Sequence, residues 1–215
     1  MWTVTLLLKP TIVTLHLLMG LLTLALLWWS YLKSQHTFFH RKPVNNQLRL
    51  WSRLALVMLT IQIFLGGWTS THYAALYCPD FPTCQGQWLP KMDFDNGFVF
   101  MRESGINYEG GVLSTEAGVA VHVTHRIGAV LTVLVAGLLA VVMLIKERSR
   151  LLLKVATVLL VLLGLQFLLG ILNVLLYLPL PIAVGHNAGA ALLLLTLIFL
   201  NFLVTPPNVT GDRHE

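Results

Sequence analysis

The chain has 215 residues, of which 56% are hydrophobic and only 11% are charged. Together with a mean hydropathy of +0.77, this composition excludes a soluble globular domain and indicates an integral membrane protein. The net charge of +5 is carried by the segments between apolar runs, so it gives no argument for a nucleic-acid partner.

Five uncharged runs are long enough to cross a hydrocarbon core of about 30 Å, which takes about 20 helical residues. We therefore predict an all-α fold, a polytopic transmembrane helical bundle with five spans. The predicted spans, in chain order, are Thr11–Leu32, Leu54–Thr71, Ala117–Ile145, Val155–Leu178 and Ile182–Val204.

Basic residues are concentrated in two of the connections between these spans. The segment from Lys33 to Arg53 contains no acidic residue, and the segment from Lys146 to Lys154 contains a single glutamate. The positive-inside rule makes both segments cytoplasmic. This places the N-terminus outside, the C-terminus in the cytoplasm, and the acidic connection between the second and third spans outside.

Three histidines lie at matching depths in the predicted spans. At a rise of 1.5 Å per residue, His16, His125 and His186 lie about 26 to 32 Å along their helices from the cytoplasmic ends. All three are therefore close to the outer edge of the bilayer, where ionisable groups are costly and usually functional. Convergence at one side of the membrane favours haem ligation. The alternative for His16 is a polar contact with a neighbouring helix.

The third span opens with His122, His125 and Arg126. The two histidines are three residues apart, so they lie near one face of the helix and cannot both bind one iron from the same side. The deeper one, His125, would form a bis-imidazole, low-spin haem site with His186. Arg126 is placed to pair with a haem propionate. His122 is then a proton carrier, a support for the ligand, or a polar contact between helices.

Cys78 and Cys84 lie in the predicted external connection. Two cysteines in an oxidising compartment favour a disulfide, and a zinc site would need more ligands than this pair supplies. The disulfide either braces the loop or takes part in redox chemistry. The sequence places no cation beside the pair to activate a thiol, which favours the bracing role.

Two internal similarities indicate duplication. Gln62–Gly66 and Gln166–Gly170 share the pattern Gln-x-x-x-Gly, and the glycines are expected at close-packing positions. His16 and His186 each follow a proline and precede a leucine-rich run. If the fifth span ends a four-helix unit, the first span looks like the end of a preceding unit.

Four motifs combine these features, namely Leu65-Gly66-Gly67-Trp68, Tyr73-Ala74-Ala75-Leu76, Cys78-Pro79-Asp80-Phe81-Pro82-Thr83-Cys84-Gln85-Gly86 and His122-Val123-Thr124-His125-Arg126. Together they resemble the haem A synthase family in its proteobacterial form. The resemblance covers essentially the whole chain up to the fifth span. It implies a protein of eight helices in two similar halves, of which this chain matches the fourth helix and the C-terminal half.

The resemblance also implies roles for individual residues. His125 and His186 match the axial ligands of the cofactor haem B, and His16 matches a histidine of the site for the substrate haem O. Cys78 and Cys84 match the cysteine pair of the C-terminal external loop.

One part of the family pattern has no counterpart in this chain. The Glu-x-x-His-Arg motif of the N-terminal half is absent, and His122 stands at the position equivalent to its glutamate. The catalytic residues are therefore unknown.

The resemblance divides the chain into four parts. Residues 1–33 are expected to be the last helix of a truncated N-terminal half, and residues 34–53 a basic cytoplasmic loop. Residues 54–204 are expected to form a four-helix haem-binding half with an external loop at 69–116. Residues 205–215 are expected to be a cytoplasmic tail.

The implied function is that of a haem A synthase-like oxidoreductase of the bacterial inner membrane. It would oxidise the C8 methyl of haem O to a formyl group, giving haem A for cytochrome oxidase. Candidate partners are membrane lipid, haem O, a second copy or a separate N-terminal half, a haem O synthase and an electron donor.

Two other function classes compete with this interpretation. A b-type haem electron carrier without substrate chemistry would need only the pair His125 and His186. A thiol–quinone oxidoreductase built on Cys78 and Cys84 would need a second reactive cysteine pair, which the sequence lacks.

Overall fold

The computed structural model describes residue 5 and residues 7–35 and 45–206. These described residues contain no β-strand and form five long helices. The helices are α1 (Pro10–Ser34), α2 (Asn46–Thr71), α3 (Thr115–Lys146), α4 (Arg150–Leu175) and α5 (Leu180–Val204). Each is long and apolar enough to cross a membrane, which confirms the predicted five-span, all-α fold. Residues 36–44 of the predicted basic loop and residues 207–215 of the predicted tail lie outside the described residues.

The beginning of α2 differs from the predicted span, because the helix starts at Asn46 and not at Leu54. The side chain of Asn45 caps the helix by accepting the N–H of Gln47 at 2.9 Å. Arg49 is accommodated on the helix because its Nε donates to the carbonyl oxygen of Val204 at 3.2 Å. Basic side chains on a membrane helix can extend their charged ends out of the apolar region, so charge alone does not mark where the helix begins.

The helices α2 to α5 form a closed four-helix bundle. Each packs against the next in the chain, and α5 returns to pack against α2, so that α3 and α5 stand at opposite corners. Helix α1 lies outside the bundle against α2 and α5. The centre is filled by leucine side chains, including Leu59, Leu163, Leu193 and Leu197.

A buried polar contact joins the first turns of α2 to the last turns of α5. Nδ2 of Asn201 donates to the backbone oxygen of Ser52 at 3.0 Å, and Oγ of Ser52 donates to Oδ1 of Asn201 at 3.2 Å. Buried polar groups are costly unless they are paired. This reciprocal pair therefore fixes the register between the first and last helices of the bundle.

The connection between α2 and α3 folds over the other end of the bundle. It contains a short 3-10 turn at Ala74–Tyr77 and a single α-helical turn at Phe94–Gly97. Nε1 of Trp68 donates to the carbonyl oxygen of Gly97 at 3.0 Å. The Tyr77 hydroxyl donates to the carbonyl oxygen of Leu113 at 2.9 Å. The connection is thus tied to the ends of both helices and covers the site described next.

Candidate haem-binding site

A cavity of about 530 Å³ lies inside the bundle at the covered end. Its volume falls within the range of about 300 to 1,000 Å³ that is usual for sites of small molecules and cofactors. Apolar side chains from all five long helices line it, and His122, His125 and His186 are among the few polar groups. The structure thus brings two of the three predicted iron ligands, His125 and His186, into one cavity.

The third predicted ligand is placed elsewhere. His16 lies on the exposed face of α1, whereas its neighbour Leu17 borders the cavity. The structure therefore does not bring His16 together with His125 and His186. Its assignment to a second haem stays a prediction.

Both cavity histidines pack against a glycine of a neighbouring helix. An ideal Cβ on Gly66 would lie 3.2 Å from Cε1 of His125, and one on Gly170 would lie 3.2 Å from Cε1 of His186. These are the glycines of the two Gln-x-x-x-Gly patterns. The duplicated pattern therefore has a packing role, because each glycine makes room for one imidazole ring.

The geometry suits a flat macrocycle held between two rings. Helices α3 and α5 stand at opposite corners of the bundle, so His125 and His186 enter the cavity from opposite sides. Haem requires only two axial ligands from the protein, since the porphyrin nitrogens supply the other four. The described residues contain no cluster of three or more His, Cys, Asp or Glu side chains that could hold a bare metal ion.

Arg126 connects the histidine helix to the external connection. Its Nη1 donates to the carbonyl oxygen of Thr83 at 2.8 Å, and its Nη2 donates to those of Cys78 at 3.0 Å and Asp80 at 2.7 Å. Its Nε donates to Nε2 of the buried His122 at 3.3 Å. These contacts use four of the five N–H groups of the guanidinium.

Anchoring of the loop is thus a function of Arg126 that the sequence interpretation missed. A half-buried arginine at the membrane edge indicates a partner with oxygen acceptors, and loop carbonyls can serve as well as a propionate. Arg126 still borders the cavity. One N–H remains for a haem propionate, and that contact stays a proposal.

Cys78 and Cys84 form a disulfide with their Cα atoms 4.6 Å apart, as the sequence predicted. Both are buried, packed with Val119 of α3. Phe81 and Pro82, between the two cysteines, line the cavity. The disulfide loop therefore forms part of the cavity wall, and Arg126 holds it in place.

Replacing Arg126 with glutamine should expose the disulfide to reduction. Hydrogen bonds from a charged donor contribute about 1.5 to 3 kcal/mol each, so losing even one should speed reduction by about tenfold. The rate can be followed by alkylation and intact-mass analysis of membrane-extracted protein treated with a phosphine. Unreduced wild-type protein should take up no alkylating reagent.

The matched control for this experiment is Arg102→Gln. Arg102 lies in the same connection, and its Nη2 donates to the carbonyl oxygen of Asn96, away from the disulfide. Its loss should leave the reduction rate unchanged. Equal rates in wild-type and Arg126→Gln protein would show that Arg126 does not hold the loop.

Asp80 stabilises the same loop from within. Its carboxylate accepts the Thr83 hydroxyl and the backbone N–H groups of Gln85 at 2.6 Å and Gly86 at 3.0 Å. The Thr83 hydrogen bond is the main cause that lowers the pKa of Asp80 from 3.8 to about 2, and the two backbone N–H groups add to it.

The lowered pKa of Asp80 predicts how the loop responds to acid. A carboxyl with a depressed pKa stabilises the folded form above its usual pKa, and this contribution is lost as the pH falls through the folded-state value. Protection of the Gln85 and Gly86 amides from hydrogen exchange should therefore persist from pH 7 to about 4 and weaken toward about 2. Asp80→Asn should show the weakened protection already at pH 7, whereas Asp95→Asn should not. Full protection in Asp80→Asn would contradict the assignment.

Comparison with known proteins places the chain in a family. A family model described as COX15-CtaA, cytochrome oxidase assembly protein, matches residues 1–198. The chain belongs to this family. The resemblance drawn on the sequence motifs is thus confirmed.

Individual COX15-CtaA relatives carry the name Heme A synthase. The chain is 41% identical over 215 residues to the Heme A synthase of Shewanella oneidensis, with 99% of this chain and 64% of the relative covered. It is 28% identical over 173 residues to that of Wolbachia pipientis subsp. Culex pipiens, covering 80% of this chain and 47% of the relative. With that of Rickettsia akari it shares 26% identity over 192 residues, covering 88% of this chain and 53% of the relative. The chain thus spans less than two thirds of the length of each.

Proposed function

We propose that the chain binds one haem B between His125 and His186, as the cofactor-binding part of a haem A synthase. The observation that supports this most directly is the pair of histidines facing each other across one apolar cavity. The family membership and the 41% identity to a Heme A synthase support the same reaction class.

The proposed reaction converts haem O to haem A, by successive hydroxylations that oxidise the C8 methyl group to formyl. Bound haem B would supply one-electron chemistry. The residues of the chain hold and enclose it. His125 and His186 fix its plane, the apolar walls exclude water, and Arg126 orients the disulfide loop that covers the cavity.

The substrate side of the reaction involves the exposed face of α1. We propose that His16 binds the iron of haem O when a second copy or a separate N-terminal half completes the site. A haem O synthase would deliver the substrate, and an electron donor would serve the cofactor. The chain would lie in the bacterial inner membrane with its basic connections in the cytoplasm and the disulfide loop outside.

A second candidate function is supported by one specific observation. The pair His125 and His186 is complete within this chain, whereas His16 lies apart from it on an exposed face. A b-type haem electron carrier without its own substrate chemistry would need only the complete pair.

Analysis of extracted pigment separates these two functions. The purified protein should show a low-spin b-type spectrum, and chromatography of its extracted haems should give haem B. When the protein is purified from cells that make haem O, a synthase should also retain haem O or haem A. Haem B alone under those conditions would favour the electron carrier, and the absence of any haem would exclude both.

A further inference from the structure

Two glutamines pack beside the histidine-bearing helices in the same way. An ideal Cβ on Gly128 would lie 2.3 Å from Oε1 of Gln62, and one on Gly189 would lie 2.2 Å from Oε1 of Gln166. Among the described residues, neither Oε1 atom has a hydrogen-bond partner, although both are buried. Each carboxamide is therefore held against a glycine that lies three residues beyond a cavity histidine.

The two glutamines differ in what they contact on the histidine itself. Nε2 of Gln62 donates to the backbone oxygen of His125 at 3.0 Å and also lies 3.0 Å from Nδ1 of its ring. Nδ1 of His186 is buried beside the backbone of Gln166 and makes no hydrogen bond of normal geometry with the described residues. Only the first histidine is thus contacted by a glutamine side chain.

The presence of a glutamine side chain beside only one of the two Nδ1 atoms would matter once the imidazole rings bind iron. A neutral ring that binds iron through Nε2 carries its proton on Nδ1, and that N–H is almost always donated to an acceptor. A half-turn of the Gln62 carboxamide exchanges its oxygen and nitrogen, which gives up the hydrogen bond to the backbone oxygen of His125 and brings Oε1 to Nδ1 of the ring. The oxygen, which now has no partner, would then accept the Nδ1–H of His125.

We propose that Gln62 is a positioning residue for His125, whose Oε1 accepts the ring proton and fixes the tautomer and the plane of the axial ligand. Gln166 has no such function, because the group beside Nδ1 of His186 belongs to the backbone. This inference rests on the proposed haem B site and adds to it a residue that acts through His125.

The expected consequence concerns the reduction potential of the haem. An acceptor on Nδ1 raises the basicity of the imidazole, and a more basic ligand stabilises ferric over ferrous iron. Removing the acceptor should therefore raise the potential. A change of about tenfold in the ratio of oxidised to reduced haem at a fixed ambient potential corresponds to about 59 mV for one electron.

The test compares Gln62→Met with Gln166→Met in the purified haem-loaded protein. Methionine preserves the length and packing of the side chain without an amide. Gln62→Met should shift the oxidised-to-reduced ratio toward reduced haem by about tenfold, which is about 59 mV. It should also shift the electron paramagnetic resonance g-values of the ferric haem. Gln166→Met should retain the wild-type potential and g-values.

The outcomes separate this inference from the proposed function. Wild-type potential and g-values in Gln62→Met protein with full haem content would overturn the inference and leave the haem site intact. A wild-type protein without low-spin haem would overturn the haem site itself. If Gln62→Met loses its haem, Gln62→Glu supplies an acceptor at the same position and should retain it. Loss of haem in both variants would overturn the role of the acceptor.

Discussion

Replacing His125 or His186 with alanine should abolish the low-spin b-type spectrum of the purified protein. Each side chain would supply one of the two proposed axial ligands, and His122, the other histidine of the cavity, accepts a hydrogen bond from Arg126 at its Nε2. Alanine also leaves an empty space beside Gly66 or Gly170, where the imidazole ring of the histidine was packed. The reduced-minus-oxidised spectrum and the haem content per protein measure the effect.

The control for this experiment is His16→Ala. His16 lies on the exposed face of α1 and does not border the cavity, so its loss should leave the haem B spectrum at wild-type intensity. A low-spin spectrum that survives in both His125→Ala and His186→Ala would refute the ligand assignment. Loss of the spectrum in His16→Ala as well would indicate a ligand set different from the one proposed.

The sequence was sufficient to predict the five spans and to single out His125 and His186, which both line one cavity. Long uncharged runs leave few alternatives to membrane helices. Similar distances from the charged ends placed His125 and His186 at about one depth. Depth alone did not decide which histidines share a site, because His16 at a similar depth lies outside the cavity. Both predictions depend on the length of an uncharged run and on the position of a residue along it. Both quantities can be read from the sequence of a single helix.

Contacts between helices were harder to predict. The sequence showed that Arg126 was an ionisable group at the membrane edge, but its partners are backbone carbonyls of Cys78, Asp80 and Thr83. Every residue has a backbone carbonyl oxygen, so the residue types do not show which of them accept hydrogen bonds from Arg126. The start of α2 was misplaced for a related reason, because Asn45 caps the helix and Arg49 is accommodated by a contact with the backbone of Val204 on another helix.

The repeated Gln-x-x-x-Gly pattern acquires its meaning only from the packing. On α2 and on α4 the glycine faces an imidazole ring, and the glutamine one turn earlier faces a glycine of the same histidine helix. Each pair of neighbouring helices is therefore one unit that holds one histidine. Two such units, packed together, produce a cavity lined by both histidines.

The chain of 215 residues, expressed alone, should bind haem B but should not convert haem O to haem A. Its cavity holds one pair of histidines from opposite helices, His125 and His186, with His122 beside His125 on the same helix, and His16 lies outside on the exposed face of α1. His72 cannot supply a partner from the end of α2, because it is buried and its Nδ1 lies 2.9 Å from the carbonyl oxygen of Trp68. Displacement of a substrate by even ~1 Å can cost on the order of a hundredfold in rate. A haem held by one exposed histidine is not positioned that well.

The measurement is chromatography of extracted haems from a host that makes haem O and lacks its own haem A synthase. Expression of the full-length Shewanella oneidensis relative, 41% identical to this chain, is the positive control for haem A accumulation. Co-expression of this chain with the remaining N-terminal part of that relative should restore haem A, and His16→Ala should then abolish it while the haem B spectrum persists. Haem A formed by residues 1–215 alone would refute the prediction, because a single histidine pair would then suffice for both cofactor and substrate.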